Sequence, residues 1–282
     1  MDFSSKPIIE FIRHSLAEDV GSGDHSSLAS IAAGTQGKAR LIFKENGIVA
    51  GLELANTIFK TVDPMLEIKF FNKDGDKVKV GEIGLHVSGS VHSILVAERL
   101  VLNCMQRLSG IASVTRKMVD AIEGTRARIL DTRKTTPGLR MLEKWAVTIG
   151  GGYNHRFGLY DMIMLKDNHV DYAGGITNAV NNTMLYLKKN NLNLAIEVET
   201  RTLDEVAECM TLPAIQRIMF DNFKPETMKK AVEIVGFNKE TEASGGITLE
   251  NVRSYAETGV DFISVGALTH SVKSLDISLK EF

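Results

Sequence analysis

The chain has 282 residues, 44% hydrophobic and 24% charged, with a net charge of −2, the balance of a globular protein long enough for two domains or one large one. This excludes bulk attraction to nucleic acid or to an anionic membrane; no apolar run approaches the ~20 residues of a membrane span, and residues 1–7 lack a hydrophobic leader core. Cys104 and Cys209 match no metal or redox spacing and read as buried free thiols, so a reducing cytoplasm is the expected compartment.

Residues 7–19 predict an amphipathic helix, with Ile8, Ile9, Ile12 and Leu16 on one stripe and Pro7 suited to the first turn. The polar turn at 18–27 has Ser26 where a dinucleotide fingerprint needs its third glycine, and a helix precedes it, so it reads as structural. Residues 37–51 and 66–80 each predict a strand pair, turned at Asn46-Gly47 and Asp74-Gly75, with a short helix over 52–62 between them. The acidic run 72–76 lacks the closing glutamate of a calcium loop and reads as a turn. Residues 90–107 predict a strong helix, broken at Ser109-Gly110, with a second helical segment continuing to about Ile122.

From Ala127 the rhythm changes. Short apolar runs centre on Ile129, Ile163, Ile196, Ile218, Ala243 and Ile263, and helix-like segments at 143–148, 177–188, 203–210, 225–235 and 249–258 lie between them. Such alternation implies parallel strands with right-handed crossovers. Six units in roughly 145 residues fall short of the ~250 that an eight-unit barrel needs, so a smaller or incomplete barrel is expected, with a doubly wound sheet as its rival.

Polar residues gather where each run ends: Asp131 to Lys134, Lys166 to His169, Glu199, Asp221-Asn222, Ser244-Gly245-Gly246 and Gly266. In a β/α barrel these tips share one rim, and that rim carries the chemistry. The glycines of the last two tips let backbone N–H groups approach a phosphate. Glu199 and Asp221 can accept from vicinal hydroxyls or offset developing positive charge. One of Glu197 and Glu199 is expected to face the lumen and the other to face away. Arg133, Lys134, His155, Arg156 and Lys166 border apolar runs without forming a run of like charge. This suggests a built pocket for a small molecule bearing several negative charges. A phosphate end, a carboxylate middle and a cationic end suit a sugar phosphate joined to an anionic partner.

These residues resemble the quinolinate phosphoribosyltransferase family over nearly the whole chain. The matching segments are ERLVLNCMQRLSGIAS (98–113), DTRKTTPGLR (131–140), GGGYNHRFGLYD (150–161), LKDNH (165–169), IEVE (196–199), FDNFKPE (220–226), EASGGI (242–247) and ISVGALT (263–269). The resemblance implies an α/β architecture: an N-terminal α/β sandwich domain over 1–112, rejoined by the tail 272–282, and a C-terminal α/β barrel of fewer than eight units over 113–271. It implies a homodimer, or a dimer-based oligomer, with shared active sites to which Arg107 comes from the neighbouring subunit. Arg133, Thr135, His155 and Arg156 are implied as substrate-binding residues, with Ser244, Gly245, Gly246 and Gly266 at the phosphate. Lys134, Lys166, Glu199 and Asp221 are implied as catalytic, and Glu199 is favoured over Glu197 as the lumen residue.

The implied reaction takes quinolinate and phosphoribosyl pyrophosphate to nicotinate mononucleotide, pyrophosphate and carbon dioxide in NAD synthesis. Mg²⁺ is expected to arrive with the phosphoribosyl pyrophosphate, since no dedicated protein cage is visible. A relative acting on nicotinate or another anionic ring is the nearest alternative. A non-catalytic binding protein on the same barrel is the alternative of a different class, and it would not require Lys134, Lys166, Glu199 and Asp221 together.

Overall fold

The computed structural model describes residues 1–282. In chain order the elements begin with α1 (Lys6–Val20), α2 (His25–Ser30), β1 (Gln36–Phe43), β2 (Gly47–Ile48), α3 (Leu52–Val62), β3 (Glu67–Phe70), β4 (Lys77–Val78), β5 (Ile83–Ser90) and α4 (Val91–Ala121). They continue with β6 (Arg128–Leu130), α5 (Arg140–Ile149), β7 (Ile163–Leu165), α6 (Asp167–Ala173), α7 (Ile176–Lys189), β8 (Ile196–Thr200) and α8 (Leu203–Met210). The last are β9 (Arg217–Asp221), α9 (Pro225–Val235), β10 (Glu240–Ser244), α10 (Val252–Ala256), β11 (Phe262–Ser264), α11 (Ala267–His270) and β12 (Ile277–Glu281).

Two compact units form. The first comprises Met1–Val114, Met141–Gly150 and Val272–Phe282. Its four-stranded antiparallel sheet has the order β12-β1-β5-β3. Period-two alternation turns Leu41 and Phe43 of β1 and Leu85 and Val87 of β5 inward, and all four are fully buried with Ile58 and Phe59 of α3. Each such side chain contributes roughly 1.5–3 kcal/mol of hydrophobic stabilisation.

Neither expected hairpin forms. The strands that follow the two turn dipeptides, β2 and β4, pair with each other. The long strands instead find partners far along the chain, β1 with β12 and β5, and β3 with β5. Asp74 is used elsewhere: its carboxylate accepts from the Leu52 amide (3.0 Å) and caps α3.

The expected break at Ser109-Gly110 is also absent, because α4 runs unbroken for 31 residues. Ser109 turns its hydroxyl onto Ala50, accepting from its amide (2.9 Å) and donating to its carbonyl (3.2 Å). Gly110 is a packing glycine rather than a helix end. A β-carbon there would collide with the Lys273 carbonyl oxygen and stand 3.2 Å from Ser274 Cα.

The second unit comprises Thr115–Arg140 and Gly151–Ser271. Its six strands are parallel, in the order β6-β11-β10-β9-β8-β7. From β7 to β11 each strand lies beside its successor, and β6, the first, lies beside β11, the last, while β6 and β7 stand at the two ends of the sheet. The order therefore cycles with no reversal point, which is the barrel arrangement and not the doubly wound one. Leu130 of β6 bridges Tyr153 on its other side. Helices α7, α8 and α9 bury one stripe each, through Ala179 and Val180, Val206 and Cys209, and Met228 and Ala231. Helix α5 forms near its expected place but groups with the first unit, so it does not serve as a barrel crossover.

Candidate active-site cleft

At the C-terminal tips of the six strands lies a cavity of about 810 Å³. Every tip contributes to it: Arg133 and Lys134 after β6, Lys166 after β7, Glu199 from β8, Asp221 from β9, Ser244 to Gly246 after β10, and Gly266 after β11. His155 and Arg156, from the loop whose Tyr153 bridges β6, complete the wall.

Local hydrogen bonds fix the cationic side. Asp131, fully buried, accepts from the His155 amide at 2.8 Å. Arg140 ties three points of the same wall, donating to Thr135 Oγ1 (3.1 Å), the Phe157 carbonyl (3.1 Å) and the Arg133 carbonyl (3.4 Å). The Thr269 hydroxyl donates to the Lys134 carbonyl at 2.8 Å. Burial, and then the neighbouring Arg133, pull Arg156 below its ordinary pKa, the mark of two guanidiniums facing one space. Arg133 Nε is buried without a protein partner. Two planar forks so placed suit paired hydrogen bonds to carboxylates.

Across the cleft, Glu199 Oε2 lies 3.4 Å from Lys166 Nζ. Asp221 Oδ2 accepts from Asn222 Nδ2 at 2.8 Å. Asn222 has a left-handed backbone (φ +57°), and its amide donates to the Ser244 carbonyl at 2.8 Å. This couples the β9 tip to the β10 tip. Gly245 (φ +97°) packs directly on Asn222. Only glycine holds that backbone at so close an approach.

Glu197 and Glu199, two residues apart, share one side of β8 as a period of two requires. The expectation that one of them faces away is therefore corrected. Glu199 lines the cleft, and Glu197, fully buried, sets Oε2 at 3.1 Å from His155 Nε2.

Of the residues expected at the site, Arg133, Lys134, His155, Arg156, Lys166, Glu199, Asp221, Ser244, Gly245, Gly246 and Gly266 line this one cleft. Thr135 does not line it; its hydroxyl is occupied by Arg140. Arg107 belongs to the first unit, where Glu143 Oε1 accepts from its Nε (3.0 Å) and Nη2 (2.8 Å). Asn222, placed at a strand tip but given no role, lines the cleft as well, and sequence reasoning missed Glu242 and His270, which also line it. Charged residues inside short apolar strands, Glu197 and Glu242, were the available signal, because a buried carboxylate there needs a partner. His270 stands four residues after Gly266, one helical turn on, and this spacing was the clue to its place.

Comparison with known proteins agrees with this geometry. Residues 24–109 match the N-terminal domain, and residues 111–280 the C-terminal domain, of quinolinate phosphoribosyl transferase. The chain is 51% identical over 284 residues to the chloroplastic nicotinate-nucleotide pyrophosphorylase [carboxylating] of Arabidopsis thaliana, covering 95% of this chain and 81% of the relative. It is 44% identical to the probable enzyme of that name in Bacillus subtilis, covering 96% and 92%. Among solved structures, NadC from Streptococcus pyogenes superposes with a TM-score of 0.91 at 39% identity, covering 97% of this chain and 96% of that one. The nicotinate-nucleotide pyrophosphorylase of Francisella tularensis gives 0.91 at 39%, covering 99% and 98%. With both domain types matched in order along one polypeptide, the chain belongs to the quinolinate phosphoribosyltransferase family.

Proposed function

We propose that this chain transfers a phosphoribosyl group from phosphoribosyl pyrophosphate to quinolinate and releases pyrophosphate and carbon dioxide, giving nicotinate mononucleotide for NAD synthesis. The observation behind this reading is one cleft in which Arg133, Lys134, Arg156 and Lys166 face Glu199 and Asp221, with glycine turns at two further tips. Two carboxylates and a multiply charged phosphate ester brought together need several fixed cations, and this wall supplies them.

In the proposed reaction Arg133 and Arg156 grip the carboxylates of quinolinate and aim its ring nitrogen at the anomeric carbon. The backbone of Ser244, Gly245, Gly246 and Gly266 receives the sugar's 5′-phosphate. The bond from the anomeric carbon to pyrophosphate breaks and the bond to the ring nitrogen forms. The sugar is oxocarbenium-like between the two, as in other glycosyl transfers. Glu199 and Asp221 hold the ribose hydroxyls and offset that charge. Lys134 and Lys166 neutralise the departing pyrophosphate. The carboxylate next to the now cationic ring nitrogen leaves as carbon dioxide, and a proton replaces it on the ring. Mg²⁺ enters as part of the pyrophosphate substrate.

A homodimer with shared sites is part of the proposal, with Arg107 of one subunit serving the other. Glu143, fully buried, would then act as the brace that orients this arginine. No helix is long and apolar enough to cross a membrane. The compartment is proposed as cytoplasmic, although plant relatives bear the words chloroplastic and mitochondrial. The test supplies quinolinate, phosphoribosyl pyrophosphate and Mg²⁺, then nicotinate in place of quinolinate, and follows mononucleotide and carbon dioxide. Product from quinolinate with stoichiometric carbon dioxide is expected. Turnover of nicotinate alone would overturn the reading.

A further inference from the structure

At the inner end of the cleft four ionisable side chains meet out of water. His155 Nε2 lies 3.1 Å from Glu197 Oε2 and 3.5 Å from Glu242 Oε2. Arg217 Nη1 lies 2.9 Å from the same Glu242 oxygen and 4.0 Å from Glu197 Oε2. Both glutamates are fully buried, and the guanidinium of Arg217 also stacks 4.1 Å over the Phe262 ring.

The neighbours fix where the protons sit. The Arg156 amide donates to His155 Nδ1 at 2.6 Å, which leaves Nε2 as the protonated nitrogen aimed at the carboxylates. From the other elements around the ring, Asp131 after β6 holds the His155 amide, and the Ser264 hydroxyl of β11 donates to the Ala243 carbonyl next to Glu242 (3.3 Å). Arg217 also pairs with the half-exposed Glu240, whose charge water screens (Nη2 to Oε2 2.9 Å). With a neutral histidine, the two fully buried carboxylates against this one guanidinium would leave a negative charge sealed in the barrel, which is strongly unfavourable.

We propose that Glu197 and Glu242, balanced by Arg217, are positioning residues that keep one additional proton in the His155 cluster, so that the inner wall of the cleft stays electrically neutral. With Nδ1 accepting, His155 is a neutral Nε2–H donor, and the additional proton rests on Glu197. Burial, and then Glu242 beside it, push Glu197 above the usual carboxylate range.

The consequence lies at the cleft, which Glu242 lines. As a bare anion it would repel a dicarboxylate. With its charge cancelled, Arg133 and Arg156 act on the ligand unopposed. The grouping has the spacing of a cation site, with ligand atoms within 4.8 Å of one another. Arg217 already fills that role, and a divalent ion would have to expel the additional proton beside a guanidinium.

The inference rests on the proposed substrate for its kinetic arm, while its spectroscopic arm needs no substrate. Infrared spectra of the unliganded protein at pH 7 should contain a protonated-carboxyl band that Glu197→Gln removes. No difference between the two spectra would refute a proton held on Glu197. In kinetics, KM for quinolinate should climb as pH rises through the titration of Glu197, which lies above the usual carboxylate range. Glu197→Gln has no such proton to lose, so its KM should lack that climb. Superimposable pH profiles would overturn the proposal. Arg217→Met should raise KM at pH 8 by at least about tenfold, and adding Glu242→Gln should reverse the rise by restoring neutrality. Failure of that reversal in a folded double variant would count against it, as would stoichiometric Mn²⁺ or Zn²⁺ uptake that Glu242→Gln abolishes.

Discussion

Replacing Gly245 with alanine tests the phosphate end of the cleft with a single methyl group. The residue's φ of +97° is strained for any L-residue with a side chain, at about 1–2 kcal/mol. The new β-carbon would overlap the Asn222 side chain and stand 2.9 Å from the Asn222 amide nitrogen. That backbone cannot yield easily, since its amide is bonded to Ser244 and its own φ is left-handed. The side chain must swing away instead, which breaks its 2.8 Å hydrogen bond to Asp221. A hydrogen bond to a charged group contributes roughly 1.5–3 kcal/mol, so strain and lost bond together come to roughly 3–5 kcal/mol. Part should appear as a lower thermal midpoint, falling about 2–4 °C for each kcal/mol in a chain of this size class. The rest appears as misplacement of Asp221 and of the phosphate turn, for which a displacement on the order of 1 Å costs about a hundredfold in rate. Steady-state kinetics should show kcat/KM for phosphoribosyl pyrophosphate reduced by about that factor. Quinolinate binding by calorimetry should hold, because Arg133 and Arg156 stand on other segments. A folded Gly245→Ala protein with unaltered kcat/KM would refute the role given to this turn.

Other perturbations separate the remaining parts of the site. Arg133→Ala should raise the KM for quinolinate by about ten- to a hundredfold, the worth of a charged hydrogen bond; unchanged saturation by quinolinate would remove Arg133 from the ring-binding wall. Asp221→Asn should lower kcat by about a hundredfold while changing quinolinate binding little; the opposite pattern would contradict the ribose assignment. Mixing inactive Arg107→Ala and Arg133→Ala subunits should restore activity by forming one intact site per heterodimer; no recovery after demonstrated exchange would argue against shared sites. Gly110→Ala should cost about 1–3 kcal/mol in denaturant unfolding by overpacking against residues 273–274; an unchanged midpoint would show that this contact yields.

The six barrel strands were legible because each apolar run ends abruptly in polar residues, and a parallel strand buried on both faces must read that way. The cleft followed, since tips of parallel strands share a rim whatever their spacing along the chain. What failed was pairing. Asn46-Gly47 and Asp74-Gly75 mark real turns, but a turn does not decide which strand lies alongside, and β1 takes partners from 40 and more residues away. Ser109-Gly110 looks like a helix end because the reason for the glycine, a backbone crossing from residue 273, is invisible locally. The assignment of Glu197 and Glu199 to opposite faces broke the period of two that the sequence itself contains. The Glu197, Glu242 and Arg217 cluster was out of reach for another reason: its members sit on three strands, and only the register between strands brings their charges together.

The first unit draws on three separate stretches of chain, with Val272–Phe282 following everything in the second. On the ribosome, β12 therefore emerges only after all the barrel strands. Until it arrives, β1 keeps one flank of unpaired N–H and C=O groups, an open template for another strand. The path crosses between the units at 114–115, 140–141, 150–151 and 271–272, so no single cut releases either of them whole. A cut at 114–115 would part α5 and β12 from the rest of the first unit and leave β1 without its edge partner.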